Sequence, residues 1–167
     1  YVGGEFSNPI ATPTLVEGTS TFSILAGDLF RRVENLKPAL PLPTTKTDLK
    51  ALDAGQDTVV WLGHSSYFVL FAGKRILIDP VFSPFAAPVS FSIKAFDGTS
   101  LYTVDDMPEI DVLLITHDHW DHLDHSTVTA LEGKVRRVLV PLGVGAHFEH
   151  WGYEHAKVRE ADWYDKL

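Results

Sequence analysis

A short segment rich in histidine and aspartate constrains the fold of this 167-residue chain more than any other part of it. Residues 117–122 are His-Asp-His-Trp-Asp-His, and they follow the run Asp-Val-Leu-Leu-Ile at 111–115. An almost uninterrupted apolar run is typical of a strand that is buried on both faces. α/β proteins bind ligands beyond the carboxyl ends of such strands. The sequence therefore predicts a buried strand that delivers these polar side chains to one edge of a sheet.

The spacing within this segment suits metal binding. His117 and His119 are two residues apart, so their imidazoles can converge on one ion. Asp121 and His122 are adjacent and point in different directions, so they can serve a second ion. Two divalent ions about 3.5–4 Å apart are a known arrangement in hydrolases. With no cysteine among the possible ligands, we expect two divalent ions, with zinc preferred over manganese or iron.

From residue 58 onward the pattern alternates between strands and helices. Apolar runs predict strands at 58–62, 66–71, 75–78, 111–115, 137–140 and 157–160. Ser126 is placed to cap a helix that stops at Gly133, and a second helix runs from Val144 until Gly152 closes it. This alternation predicts an α/β domain over residues 58–167.

Residues 1–57 form an N-terminal extension, in which prolines flank one short predicted helix. Apolar residues recur at helical spacing between Phe22 and Val33, so one face of the helix should pack against something. The catalytic domain of the same chain is the favoured neighbour. The alternative is a membrane or a substrate, because Arg31 and Arg32 lie at the end of the helix.

The charge of the chain bears on its partners. Lys and Arg number 14 against 22 Asp and Glu, a formal net charge of -8, which repels a phosphate backbone. We therefore expect no nucleic-acid partner. A cleft lined by divalent ions would reverse the local sign and could still accept a single anionic phosphate group.

The ligand loop resembles a known family signature. Residues 117–122 match the His-x-His-x-Asp-His motif of the metallo-β-lactamase superfamily. The resemblance implies that His117 and His119 bind the first ion and that Asp121 and His122 bind the second and act in catalysis. It also implies a four-layer αββα sandwich with the site at one edge of its two sheets.

Two residues outside the loop are further candidates. By the same resemblance, Asp79 at a strand end accepts hydrogen bonds from the ligand loop and orients it, the alternative being a simple Asp-Pro turn. His64 lies between two predicted strands. It either contacts a phosphate or lactone oxygen in the cleft or hydrogen-bonds a neighbouring loop, and we favour the structural role.

A narrower resemblance covers most of residues 61–151. The shared segments, in order, are 63–66, 78–83, 108–111, 117–124 and 141–143. They look like the phospholipases D that hydrolyse N-acylphosphatidylethanolamine, and the ascorbate-6-phosphate lactonase branch shares part of the pattern. The resemblance implies a phosphodiesterase that uses a metal-bound hydroxide on a lipid or small-molecule phosphodiester. Peripheral contact with a membrane is compatible with such a substrate. The alternatives are a lactonase or ester hydrolase at the same site, or a non-catalytic fragment.

The family pattern needs further ligands from well downstream of the loop. The later histidines, His147, His150 and His155, come too early in the fold for that role. We therefore expect the chain to be the N-terminal half of a metallo-β-lactamase hydrolase domain that needs its own C-terminal half. The compartment and any preceding membrane anchor stay open.

The 167-residue chain by itself should accordingly be inactive and bind zinc weakly, because half of the implied ligands are missing. Calorimetric titration with zinc checks this expectation. Tight binding of two ions by the isolated chain would contradict it.

Overall fold

The computed structural model describes these parts of the chain: residues 6, 8, 10, 12–13, 15–30, 36–86 and 94–166. Two compact units are present, Tyr1–Lys37 and Pro38–Leu167. Residues 38–57 belong to the second unit, and Leu49 is buried in its core. The boundary between the two units therefore lies before Thr58, where the first strand of the second unit begins.

The first unit contains the helix α1, Thr21–Phe30. Ser20 stands immediately before the helix, and its hydroxyl accepts a hydrogen bond from the backbone N–H of Ser23 at 3.1 Å. A serine in that position satisfies one of the free amides of the first turn. The basic residues Arg31 and Arg32 lie outside the described residues. No helix in the described part of the chain is long and apolar enough to cross a membrane.

The second unit is built on one six-stranded sheet. Its strands are β1 Thr58–Gly63, β2 Ser66–Phe71, β3 Lys74–Ile78, β4 Val112–Leu114, β5 Val138–Pro141 and β6 Val158–Ala161. They lie side by side in chain order. The strand β2 is antiparallel to both β1 and β3, whereas β3 to β6 run parallel. The predicted α/β class is confirmed, and each predicted strand is present within about one residue of its expected bounds, allowing for the usual end effects.

One face of the sheet carries the hydrophobic core. Alternate residues of the strands point to this face, including Phe68, Leu70 and Leu77, all of which are at most 2% exposed. Two helices cover it: α2, His125–Leu131, and α3, Gly145–His150. Val128 of α2 and Phe148 of α3 are fully buried against the sheet. Each large apolar side chain buried in this way contributes about 1.5–3 kcal/mol to stability.

The ends of the two helices follow from local sequence in different ways. The helix α2 begins two residues earlier than a cap at Ser126 would place it, with Asp124 at the N-cap position. Ser126 therefore lies inside the first turn, and the predicted cap was wrong. The end of α3 matches its prediction, because Gly152 has a φ of 100°. Tyr153 N–H donates to Phe148 O at 3.0 Å, which completes the usual glycine-terminated helix end.

The opposite face of the sheet is apolar and open at its β1–β2 end. Val59, Trp61, Tyr67 and Phe71 are 66%, 47%, 39% and 58% exposed. The register pairs Val59 with Val69 and Trp61 with Tyr67, so these side chains share one face. Large exposed apolar patches mark surfaces that bind another element or partner. The described residues thus form one sheet layer and one helix layer of the four that the family resemblance implies.

The two faces predict opposite effects for neighbouring substitutions in the 167-residue chain. Leu70→Lys puts an unpaired charge into the core and should unfold the domain, at a cost above about 4 kcal/mol. Phe71→Lys, one residue along, should keep the thermal transition and reduce self-association, because it breaks the open apolar patch. Thermal melts and light scattering check both effects. Equal destabilisation by the two variants would contradict the assignment of faces.

Candidate metal centre

The candidate site lies where three segments meet at one edge of the sheet. The strands β3 and β4 are parallel, with Ile78 opposite Leu114, so the residues that follow them emerge side by side. The strand β2 is antiparallel to β3, and Tyr67 is opposite Ile78. The turn between β1 and β2 therefore reaches the same edge. Asp79, the ligand loop 117–122 and His64 meet there, although up to 58 residues separate them along the chain.

Asp79 joins the end of β3 to both ends of the ligand loop. Its side chain is almost fully buried, and Oδ1 accepts the backbone N–H of Thr116 at 2.7 Å. Oδ2 accepts a hydrogen bond from the Thr116 hydroxyl at 2.6 Å and another from Nδ1 of His122 at 2.9 Å. The backbone of Asp79 has a φ of 42°, a conformation that Asp tolerates better than most residues. Three hydrogen bonds thus fix one carboxylate between β3 and the loop.

These contacts also select one neutral tautomer for each of two imidazole rings. Because Thr116 gives its only hydroxyl hydrogen to Asp79, its oxygen can only accept from Nδ1 of His117, which lies 3.0 Å away. His122 likewise donates its Nδ1 hydrogen to Asp79. Each ring is then left with an unprotonated Nε2, the form in which imidazole binds a metal ion.

The four candidate ligands of the loop lie close together. The ring centroids of His117 and His119 are 4.5 Å apart, and those of His117 and His122 are 3.9 Å apart. Nε2 of His122 lies 3.7 Å from Oδ2 of Asp121. Partial burial lowers the pKa of His117, and its electrostatic interactions with His122 and His119 lower that pKa further. A neutral His117 is available to a cation at neutral pH.

His64 joins this group from the β1–β2 turn. Its Nε2 lies 2.9 Å from Oδ2 of Asp121. Ligand atoms of His64, Asp121 and His122 all lie within 4.8 Å of one another. Burial acts to raise the pKa of Asp121, but hydrogen bonding to His64 and the nearby His122 outweigh it, so the net pKa is lowered. Imidazole nitrogens and an ionised carboxylate are donors that suit zinc, manganese or iron, so the residues fit the predicted metals.

The later histidines are not part of the group formed by His64, Asp121 and His122, and two of them have partners of their own. His147 stacks on Trp151 with ring centroids 5.4 Å apart, and His155 hydrogen-bonds Glu149 at 2.6 Å. Within the ligand loop, Trp120 is 59% exposed. Among the phenylalanines that follow β3, Phe82 packs against the core, Phe96 is 44% exposed, and Phe91 lies outside the described residues.

Two polar residues of the site were not identified from the sequence. Thr116 carries the contact between Asp79 and His117, and its position directly before the motif is the signal that could have found it. Asp124 accepts the backbone N–H of Ser83 at 3.0 Å and its hydroxyl at 2.9 Å, and Thr127 also donates to it. Asp124 thereby joins the start of α2 to the segment that follows β3, a contact that no local pattern predicts.

Comparison with known families identifies the architecture. A model of the beta-lactamase superfamily domain matches residues 74–167, which include both Asp79 and the ligand loop. The chain belongs to the beta-lactamase superfamily. The crystal structure of CmlA, a diiron β-hydroxylase from Streptomyces venezuelae, supports this with a TM-score of 0.52 at 32% identity, over 67% of this chain and 22% of that chain. The metallo-β-lactamase fold predicted from the sequence is confirmed.

Curated members of the superfamily resemble the chain over most of its length. An uncharacterized protein of Mycobacterium tuberculosis is 34% identical over 164 residues, which is 98% of this chain and 44% of that protein. The N-acyl-phosphatidylethanolamine-hydrolyzing phospholipase D 1 of Caenorhabditis elegans is 26% identical, over 89% of this chain and 47% of that protein. The chain thus spans less than half the length of these relatives.

The contacts of Asp79 predict a specific effect on metal affinity. Asp79→Asn keeps the shape but replaces one acceptor by an amide, which cannot accept the Nδ1 hydrogen of His122. Zinc affinity of the full-length protein should fall about 10–100-fold. Competition with a chromophoric chelator measures it.

Asp124→Asn is the matched control, since Asp124 is also a nearly buried, hydrogen-bonded aspartate but contacts none of the loop histidines. It should leave zinc affinity within about threefold while lowering stability by about 1–3 kcal/mol. An equal loss of zinc affinity in both variants would mean that Asp79 acts only through stability.

Proposed function

We propose that the chain carries the metal-ligating half of a metal-dependent hydrolase that acts on lipid phosphodiesters of the N-acylphosphatidylethanolamine type. The observation that carries the proposal is the arrangement of His117, His119, Asp121 and His122 at one sheet edge, with two imidazoles held in the metal-binding form. Two divalent ions bound there would supply Lewis-acid polarisation of the scissile group and a lowered pKa for water.

The residues of the chain have separate tasks in this proposal. His117 and His119 hold the first ion, and Asp121 and His122 hold the second. Asp79 and Thr116 keep the Nδ1 hydrogens in place, so the rings cannot rotate away from the site. Rigid positioning of this kind is what lets a charged site act without reorganising during the reaction.

The choice of substrate is supported by relatives and by the surface around the site. The phospholipase D of Caenorhabditis elegans is similar over 89% of this chain. Trp120, inside the ligand loop, is 59% exposed and offers an apolar contact beside the ligands. Hydrolysis of the P–O bond to the N-acylethanolamine would yield phosphatidic acid and free N-acylethanolamine. A lactone or other ester is the alternative substrate at the same site.

Oxygen-dependent chemistry at a two-iron site is a second candidate. It is favoured by the similarity to CmlA, whose structure is described as a diiron β-hydroxylase and is 32% identical over 67% of this chain. Histidine and carboxylate ligands accept iron as well as zinc. Iron-loaded protein that consumes dioxygen with a reductant, and hydrolyses neither phosphodiesters nor lactones, would favour this candidate.

The proposal is tested with the full-length protein loaded with zinc. Incubation with N-acylphosphatidylethanolamine vesicles should release phosphatidic acid and N-acylethanolamine, measured by mass spectrometry. A panel of lactones and bis-p-nitrophenyl phosphate runs in parallel. If phosphatidic acid is released no faster than without protein while lactones are hydrolysed, the lactonase alternative would replace the phosphodiesterase proposal.

A pair of histidine variants shows whether any activity comes from this site. His119→Ala removes a proposed ligand and should abolish most of the turnover. His147→Ala removes a histidine that stacks on Trp151 and is not among the proposed ligands, and it should leave turnover unchanged. Equal activity in the two variants would place the reaction elsewhere in the protein.

A further inference from the structure

The turn between β1 and β2 makes two contacts with a single residue of the ligand loop. His64 Nε2 lies 2.9 Å from Oδ2 of Asp121. The hydroxyl of the next residue, Ser65, donates to the backbone oxygen of Asp121 at 3.1 Å. Both the side chain and the main chain of Asp121 are therefore held from the same turn, 56 to 57 residues earlier in the chain.

The turn itself is fixed in an uncommon backbone conformation. Gly63 has a φ of 112°, and a Cβ there would come within 2.8 Å of Thr99 O. His64 has a φ of 44°, a left-handed conformation that is uncommon for non-glycine residues, although Asn, Asp and His adopt it more often than the others. Nε1 of Trp61 donates to His64 O at 2.8 Å and closes the turn. These contacts hold His64 at a positive φ, and non-glycine residues held in this way are often found at functional sites.

We propose that His64 is a positioning residue, whose Nε2–H donates to the carboxylate of Asp121 and holds it in place to bind the second metal ion. This inference rests on the proposed two-metal site. An ionised carboxylate only accepts hydrogen bonds, so the hydrogen between the two side chains belongs to His64. A ring nitrogen that carries a hydrogen has no lone pair for a metal, so Nε2 of His64 is a donor here and not a ligand. The carboxylate has about four acceptor positions and keeps the others for a cation.

The surroundings agree with a positioning role. The side chain of Asp121 is 34% exposed, and His122 Nε2 lies 3.7 Å away from it without a hydrogen bond between them. Asp79 orients His122, but within the described residues the side-chain hydrogen bond to Asp121 comes from His64. The two proposed ligands of the second ion are therefore oriented by two different partners, Asp79 and His64.

Two variants separate the hydrogen bond from the backbone conformation. His64→Asn suits the positive φ, but its shorter side chain cannot reach Asp121. His64→Gln is long enough to put an N–H donor near the position of Nε2. In the full-length protein, His64→Asn should bind the second zinc ion about 10–100-fold more weakly, with the first ion unaffected, and His64→Gln should stay within about threefold of the unsubstituted protein.

Zinc affinity by chelator competition and the visible spectrum of the cobalt-substituted protein measure this, and neither depends on which reaction the enzyme performs. Normal binding of both ions by His64→Asn would overturn the proposal. Equally weak binding by a folded His64→Gln would also overturn it, because a glutamine retains the donor but cannot replace an imidazole ligand.

Steady-state kinetics distinguish positioning of the metal from contact with substrate. The loss of kcat in His64→Asn should be restored by saturating zinc, with KM for the phosphodiester unchanged. A raised KM that zinc does not restore would assign His64 to the substrate and overturn the proposal. Absence of any hydrolysis by the unsubstituted protein would count against the proposed function and leave the result for the metal ions intact.

Discussion

The rest of the site depends on the hydrogen bonds that the carboxylate of Asp79 accepts. This carboxylate is buried at the end of β3, where it accepts two hydrogen bonds from Thr116 and one from His122. Burying an ionised group is costly unless such partners compensate for the lost water. Within the described parts of the chain, this compensation comes from His122 of the ligand loop and from Thr116, the residue before the loop. The hydrogen bonds that stabilise the buried carboxylate of Asp79 are therefore the same ones that fix the loop and the tautomers of two of its histidines.

The sheet explains why this contact can form. Parallel β3 and β4 bring Asp79 beside Thr116, and the antiparallel β2 brings the turn with His64 to the same edge. The core on one face, with Val128 and Phe148 packed against it, holds the strands in that register. The other face stays apolar and partly exposed at Trp61 and Phe71. Positioning of the ligands thus needs only one covered face, whereas the open face is available to further structure.

Local patterns predicted the strands, the end of α3 at Gly152 and the grouping of residues 117–122, because each depends on neighbours in sequence. The contact between His64 and Asp121 could not be predicted in this way. It spans 57 residues and follows from the register of β2 against β3 and from a positive φ at His64. The start of α2 was misplaced for a related reason, since Asp124 at its N-cap also binds Ser83 of a distant segment. Both features depend on hydrogen bonds between segments far apart in the chain, and local sequence patterns do not reveal such bonds.

The donor set of the loop does not by itself select a reaction. Its imidazoles and carboxylate accept zinc or iron, and relatives in the same superfamily are described as a phospholipase D and as a diiron hydroxylase. Selectivity must then arise from what surrounds the ligands. In this chain those surroundings are the β1–β2 turn that holds Asp121, the exposed Trp120 and the segment that Asp124 ties down after β3. Trp120 and the segment after β3 lie outside the metal ligands, so changes there can alter the reaction without loss of the metal site, which is how one fold supports several chemistries.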